Sequence, residues 1–400
     1  MAPPNLNEPL TLPTRRAAWT PGTPLAWIVF YLVALDLGAN AFFAYPKDPR
    51  NITPSRLQLY FEYGRAIEGK LARMTRATDE ESAPIVASGW LEPSGSTQVP
   101  NGAVEGTRPV VTFFGMSHAQ LLAHDVARID DTLAVRCAAA PQAVPTWSFS
   151  AYLEDRKRRH SDVVVLTVMT QTIPLLSATA GGTLYFDGAY PYTWPRYYLE
   201  DDTLRSVAPP FLSREGYRRH FYDPMAWSRY RDWLTQHDKH YDPLLFRRSA
   251  LDRSSLARLL RRSYALAIRA TAQATAYDPM KGFDRTSEEA RVLEALIVEF
   301  ARLARRDGTI PIVFVVNNLN TSDHAFRLVE PTLSRHGIAR LSSHEICPPN
   351  EPRNYLPDSH FQPPINLELA RAMARLIRTS LADRENARRS LSARGPQSAG

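Results

Sequence analysis

The sequence predicts an α/β protein: a flavodoxin-like, doubly wound parallel sheet of order 2-1-3-4-5, with a helical, aromatic-rich insertion and one N-terminal transmembrane helix. Three observations carry this. Between residues 109 and 382, short apolar runs alternate with amphipathic helical stretches, as βα units on a parallel sheet do. One run, DVVVLTVM at 162–169, is apolar almost throughout, as a strand buried on both faces must be. Residues 25–44, LAWIVFYLVALDLGANAFFA, are long enough at about 1.5 Å per residue to cross a hydrocarbon core.

Each element follows in order. Residues 1–24 are polar and proline-rich and read as a disordered cytoplasmic tail. Arg15 and Arg16 precede the apolar run, which puts the N-terminus inside and the globular part on the periplasmic or extracellular side. Asp36 costs about 3 kcal/mol near the centre of such a helix, and Asn40 follows one turn later. Two readings stay open: a signal anchor whose Asp36/Asn40 face meets a partner helix or the interface, and a signal peptide cleaved at the small-x-small run Ala39-Asn40-Ala41. The anchor is preferred; a buried helix of a cytosolic protein comes third. Residues 45–108 form a juxtamembrane helix and connection, the helix covering 52–75 with Leu59, Tyr63, Ile67 and Leu71 on one stripe.

The main domain, 109–382, opens with a strand at 109–115, a helix at 118–129, a strand at 132–137, a helix at 148–159 and the strand at 162–169. The insertion, 172–285, is rich in Tyr, Trp, Arg and Pro. A helix at 286–306 follows, capped by Ser287, with acids in its first turn and arginines in its last. A strand at 310–317, a helix at 323–336, an edge strand at 338–342 and a helix at 364–380 complete the domain; 383–400 read as a disordered tail.

Composition narrows the function. With 44% hydrophobic and 22% charged residues, the chain can bury a large core. The net charge of +7 is spread along the chain and interleaved with acids, so nucleic acid is not an expected partner. Cys137 and Cys347 are the two cysteines, without metal spacing and near opposite sheet edges, too far apart for a disulfide. His220, His237 and His240 lack a ligand set, so no metal or cofactor is expected.

Two short blocks carry chemistry. In FFGMSHAQ, Phe113 to Gln120, a buried strand runs through Gly115 into Ser117 and a helix. Ser117 would stand at a helix N-terminus, where its own N–H and the helix dipole favour an oxyanion. In LPDSHF, Leu356 to Phe361, Asp358 and His360 sit in a loop before the last helix, at the same end of the sheet. His360 would take the Ser117 proton, and Asp358 would orient the imidazole. Read singly, each block has an ordinary structural alternative: a helix-capping serine, or a capping aspartate beside a solvated histidine.

Together, the GMSH and DSHF blocks resemble the Gly-x-Ser and Asp-x-His blocks of SGNH/GDSL hydrolases over about 109–382, and the second is similar to that of membrane-anchored polysaccharide O-acetyltransferases. The resemblance implies a serine esterase or O-acyltransferase with Ser117 as nucleophile, acting on an acylated envelope or secreted polysaccharide. It implies oxyanion donors at Ser117, near Ala139 or Ala140 where the family has a glycine, and at Thr170 or Gln171 where it has an asparagine. Trp194, Tyr197 and Asn318 are expected to bind substrate, the aromatics by stacking on sugar; the alternative is that the aromatics pack the insertion against the sheet and the asparagine shapes its loop. His118 is expected to point away into the helix surface. The rival reading is a non-catalytic glycan-binding or assembly component of the cell envelope; a weaker one is a scaffold acting through residues 1–75.

Overall fold

The computed structural model describes residues 22–46, 52–76, 89–92, 97–98, 108–188 and 190–393. The expected tail at 1–24 lies almost wholly outside them. In chain order, α1 spans Gly22–Phe42, α2 Arg56–Glu62 and α3 Ile67–Arg76; β1 is Thr97–Gln98 and β2 Val110–Gly115. Next come α4 (Ser117–Ile129), β3 (Ala134–Ala139), α5 (Pro145–Asp155) and β4 (Val163–Met169). The insertion contributes α6 (Gly181–Leu184), the hairpin β5 (Arg196–Glu200) and β6 (Thr203–Val207), α7 (Arg214–Tyr222), α8 (Pro224–His237), α9 (Pro243–Phe246) and α10 (Ser255–Ala276), then the hairpin β7 (Tyr277–Asp278) and β8 (Gly282–Phe283). Last are α11 (Glu288–Arg306), β9 (Ile310–Val316), α12 (His324–Arg335), β10 (Ala339–Ser342) and α13 (Pro363–Ala393).

Five parallel strands lie in the order β3-β2-β4-β9-β10. This numbering departs from the expected 2-1-3-4-5 because β1 precedes the five and the insertion's hairpins form separate two-stranded sheets. β1 adds an unexpected antiparallel edge, pairing Thr97 with Ala138. Every residue of β2 and β4 is buried. Helices cover both faces: α4 packs with α13, and α5 with α11. α11 shows why the sequence folds so locally, since Ser287 Oγ accepts the Ala290 N–H at 3.2 Å, Glu288 and Glu289 fill the first turn, and Arg305 and Arg306 the last.

Two expectations need correction. The helix at 52–75 is broken between α2 and α3, at Gly64, where an added Cβ would lie 1.9 Å from the Arg258 carbonyl oxygen; α10 presses there too closely for a continuous helix. Residues 89–92 are irregular, as expected of the connection, and are anchored: Trp90 is fully buried and the Trp147 indole donates to the Gly89 carbonyl at 2.8 Å. The expected tail from 383 continues α13 to Ala393, held by Arg384 on the Asp162 carboxylate at 2.7 Å and on the Gly308 carbonyl at 3.1 Å. The cysteines are free and buried.

The apolar helix docks through its last third. Asp36 Oδ1 accepts from Ser254 Oγ at 3.0 Å and from the Leu256 N–H at 2.8 Å, and Asn40 Oδ1 accepts from Ser255 Oγ at 2.9 Å and Arg258 Nη2 at 3.1 Å. Asp36 thus faces the positive end of the α10 dipole, and the two polar residues of the apolar run meet an element of the same chain.

Candidate active site

β2 ends at Gly115 and α4 begins at Ser117. A Cβ on Gly115 would come within 2.7 Å of Ala119 Cβ and 2.8 Å of Thr167 Cβ, so only glycine lets the chain turn this tightly between strand and helix. Met116, the N-cap residue, makes no side-chain cap. The Ser117 hydroxyl is turned elsewhere, lying 2.7 Å from His360 Nε2.

The histidine comes from a small hairpin. The Leu356 N–H donates to the His360 carbonyl at 2.7 Å, the Ser359 N–H to the Leu356 carbonyl at 2.9 Å, and Tyr355 bridges Phe361. Tyr355 Oη donates to the Asn317 carbonyl at 3.2 Å, tying the hairpin to the end of β9. Ser359 has φ +69°, the left-handed region a non-glycine residue seldom visits, and this turns Asp358 back onto His360, two residues on. Asp358 Oδ2 lies 3.0 Å from His360 Nδ1, and Oδ1 accepts the His360 N–H at 3.2 Å. These bonds, the side-chain one foremost, hold the Asp358 carboxyl below the usual carboxylate range. An ionised carboxylate only accepts, so Nδ1 carries the ring proton and Nε2 accepts from Ser117. The Asp358 side chain is 66% exposed, so the relay is wet on its aspartate side.

His118 does not point away, as expected from its position. It is buried and stacked on His360, with centroids 4.8 Å apart and planes at 17°, and it meets the edge of Phe361 at 5.4 Å. Burial, then the neighbouring His360 charge, pushes its pKa down to about 4 against the pull of the Ser359 backbone and Asp358. No hydrogen bond of good geometry reaches either ring nitrogen. A neutral imidazole therefore backs His360. The sequence signal was its adjacency to the serine, but the direction of its side chain depends on the 355–361 hairpin.

The other expected site residues fare unequally. Ala139 ends β3 opposite Gly115, but the next amide, Ala140 N–H, is taken up by the Gly115 carbonyl at 3.1 Å. Thr170 Oγ1 donates to the Val316 carbonyl at 3.1 Å, which removes it as a donor. Gln171 is exposed; its backbone N–H donates to Asn318 Oδ1 at 3.2 Å. Asn318 is thereby buried as a tie between two strand ends and is not presented to a substrate. Trp194 and Tyr197 also need correction: both are core residues, Trp194 Nε1 donating to Thr146 Oγ1 at 3.1 Å and Tyr197 Oη lying 2.9 Å from Ser150 Oγ. The insertion's rings pack against α5, because the sheet's helices offer them hydroxyl partners and apolar contact.

A cavity of about 450 Å³ lies elsewhere, around Arg156–Ser161 and Thr309 where β4 and β9 begin. Its arginines are ion-paired, Arg156 with Asp307 at 2.7 Å and Arg158 with Glu154 at 3.1 Å, and it is remote from the Ser117 hydroxyl at the strand C-termini. Among the described residues, no group of three His, Cys, Asp or Glu side chains converges as a metal site. No family model, curated protein or solved structure matches the chain.

Proposed function

We propose that the chain is a serine esterase or O-acyltransferase of the SGNH/GDSL type, built on a flavodoxin-like sheet, tethered by α1 and acting on an acylated polysaccharide of the exported side. One observation carries the reading: Ser117 Oγ stands 2.7 Å from His360 Nε2 while Asp358 holds the opposite ring nitrogen at 3.0 Å. That spacing is within proton-transfer range. The sheet supports the family reading, since its own parallel strands run 2-1-3-4-5 when the hairpins are set aside. Arg15 and Arg16 ahead of the span support the exported side.

In this mechanism His360 Nε2 takes the hydroxyl proton as Ser117 Oγ attacks the ester carbonyl. The Ser117 N–H, in the first turn of α4 where amides have no intrahelical partner, stabilises the oxyanion, joined by the exposed Gln171 amide. His360 then protonates the leaving alcohol. Water or a sugar hydroxyl, deprotonated in turn by His360, releases the acyl group and restores the serine.

The engagement of the Ala140 N–H and Asn318 Oδ1 favours a second reading, a non-catalytic glycan-binding or assembly component. A fluorophosphonate probe on the purified full-length chain separates the two. Covalent labelling that disappears in Ser117→Ala supports the enzyme; an unlabelled wild type removes it.

A further inference from the structure

The apolar run of α1 is Pro24–Phe42, 19 residues, and at 1.5 Å per residue it rises about 28 Å, close to the thickness of a hydrocarbon core. Its last third is not free. Asp36 and Asn40 are bonded to Ser254, Ser255, Leu256 and Arg258 at the start of α10. The segment left clear of the domain, Pro24–Leu35, rises only about 18 Å, which is too short to cross alone.

The same joint includes α2. Phe61 stacks on Phe43 with centroids 5.3 Å apart, and Gln58 Nε2 donates to the Ala44 carbonyl at 2.8 Å. α2 is fastened to α10 by Arg258 Nη1 on Glu62 Oε2 at 3.1 Å. The joint is therefore stiff, and the domain cannot slide up the helix to free more of it. Around it stand exposed apolar side chains on these two elements: Leu57 at 54% and Tyr60 at 48% on α2, and Leu260 at 73% on α10. Arg56, next to Leu57 in the chain, and Arg253, just ahead of α10, are also exposed.

Resting on the membrane-anchor reading above, we propose that α2 and the first turns of α10 are seated in the bilayer itself, with Leu57, Tyr60 and Leu260 among the acyl chains and Arg56 and Arg253 at anionic headgroups. The span arithmetic requires the docked third of α1 to lie within or at the edge of the hydrocarbon; the first turns of α10, bonded to Asp36 and Asn40, go with it, and α2, which meets Phe43 and Ala44 just past the run, lies at its edge. Its polar groups tolerate that depth because the domain satisfies them. Apolar and tyrosine side chains flanked by arginine suit an interfacial face.

The test uses the full-length chain reconstituted in vesicles of phosphatidylcholine with phosphatidylglycerol. An environment-sensitive fluorophore is placed at Leu57→Cys, Leu260→Cys, Phe30→Cys or Met280→Cys, with wild type as the blank because Cys137 and Cys347 are buried. These four positions are exposed, so the labels need not disturb packing. The expected result is severalfold weaker quenching by aqueous iodide at 57 and 260 than at 280, matching residue 30. Strong quenching at 57 and 260 with residue 30 protected overturns the seated domain and leaves the anchor intact. Strong quenching at all four positions overturns the anchor as well. Protection at 57 and 260 that vanishes on dilution with excess lipid assigns the face to a second copy of the chain and also overturns the proposal.

Discussion

Among the serine–histidine contacts of the described residues, two that join partners far apart in the chain have similar lengths and different surroundings. Ser117 Oγ lies 2.7 Å from His360 Nε2, and Ser177 Oγ lies 3.0 Å from His240 Nε2. The first pair stands where a strand passes into a helix, and a carboxylate engages the far ring nitrogen. The second lies within the insertion, with Ser177 2% exposed. Its nearby acid, Asp238, meets only the backbone N–H of His240 through Oδ1, while Oδ2 accepts from Thr179 and Thr183. A hydroxyl near an imidazole is thus a common structural contact. The carboxylate on the opposite nitrogen and the helix N-terminus under the serine set the first pair apart, and the proposed chemistry rests on them.

That contrast can be broken by substitution, beginning with the largest effect. Ser117→Ala is expected to lose fluorophosphonate labelling and at least about a thousandfold in any ester turnover. Ser177→Ala is expected to keep both and to lose only about 1 kcal/mol of stability in denaturant unfolding. A reversal of these two outcomes would move the site into the insertion.

Trp194→Ala sharpens the contrast between a working strand end and a structural insertion. Deleting so large a buried ring should cost about 3–5 kcal/mol and lower the midpoint of thermal unfolding. Unchanged stability with lost glycan binding would instead make the insertion a recognition surface.

The smallest effect concerns His118 and follows from its depressed pKa. Between the ordinary value of 6.5 and the folded value of about 4, the unfolded chain takes a proton that the folded chain refuses. Stability therefore falls as pH drops through that window, by about 3 kcal/mol in total. His118→Phe keeps a ring against His360 and removes the titration. Its thermal midpoint should fall less than that of wild type between about pH 7 and about pH 4.5. Equal losses in the two proteins would mean that His118 is not held neutral by its burial.

Much of this was legible in the sequence. The strands around 109–115, 162–169 and 310–317 are apolar runs that only a buried sheet accommodates. Ser117 and His360 were legible because one follows the first central strand and the other precedes the last helix, places that a wound sheet brings to the same end. Side-chain direction was not legible. Trp194 and Tyr197 face inward because Thr146 and Ser150, about 50 positions earlier on α5, accept or share their polar atoms. Nor was the break at Gly64, which depends on the Arg258 carbonyl nearly 200 positions later. Local periodicity cannot see partners that distant. Nor was the extension of α13 past 382, which is held by Arg384 reaching back to Asp162, more than 200 positions earlier.

Gly115 has a consequence for how such a site can drift. The hydroxyl–imidazole distance is set by the absence of one methyl group, since the start of α4 rests against Thr167 with no room for it. Any larger residue at 115 would lever the helix off the sheet and carry the Ser117 hydroxyl away from a hairpin that is fixed separately at the end of β9. Ser117 and His360 are thus registered to each other through separate packing and side-chain contacts with one sheet, and a single added carbon at Gly115 would uncouple them while leaving serine, histidine and aspartate all in place.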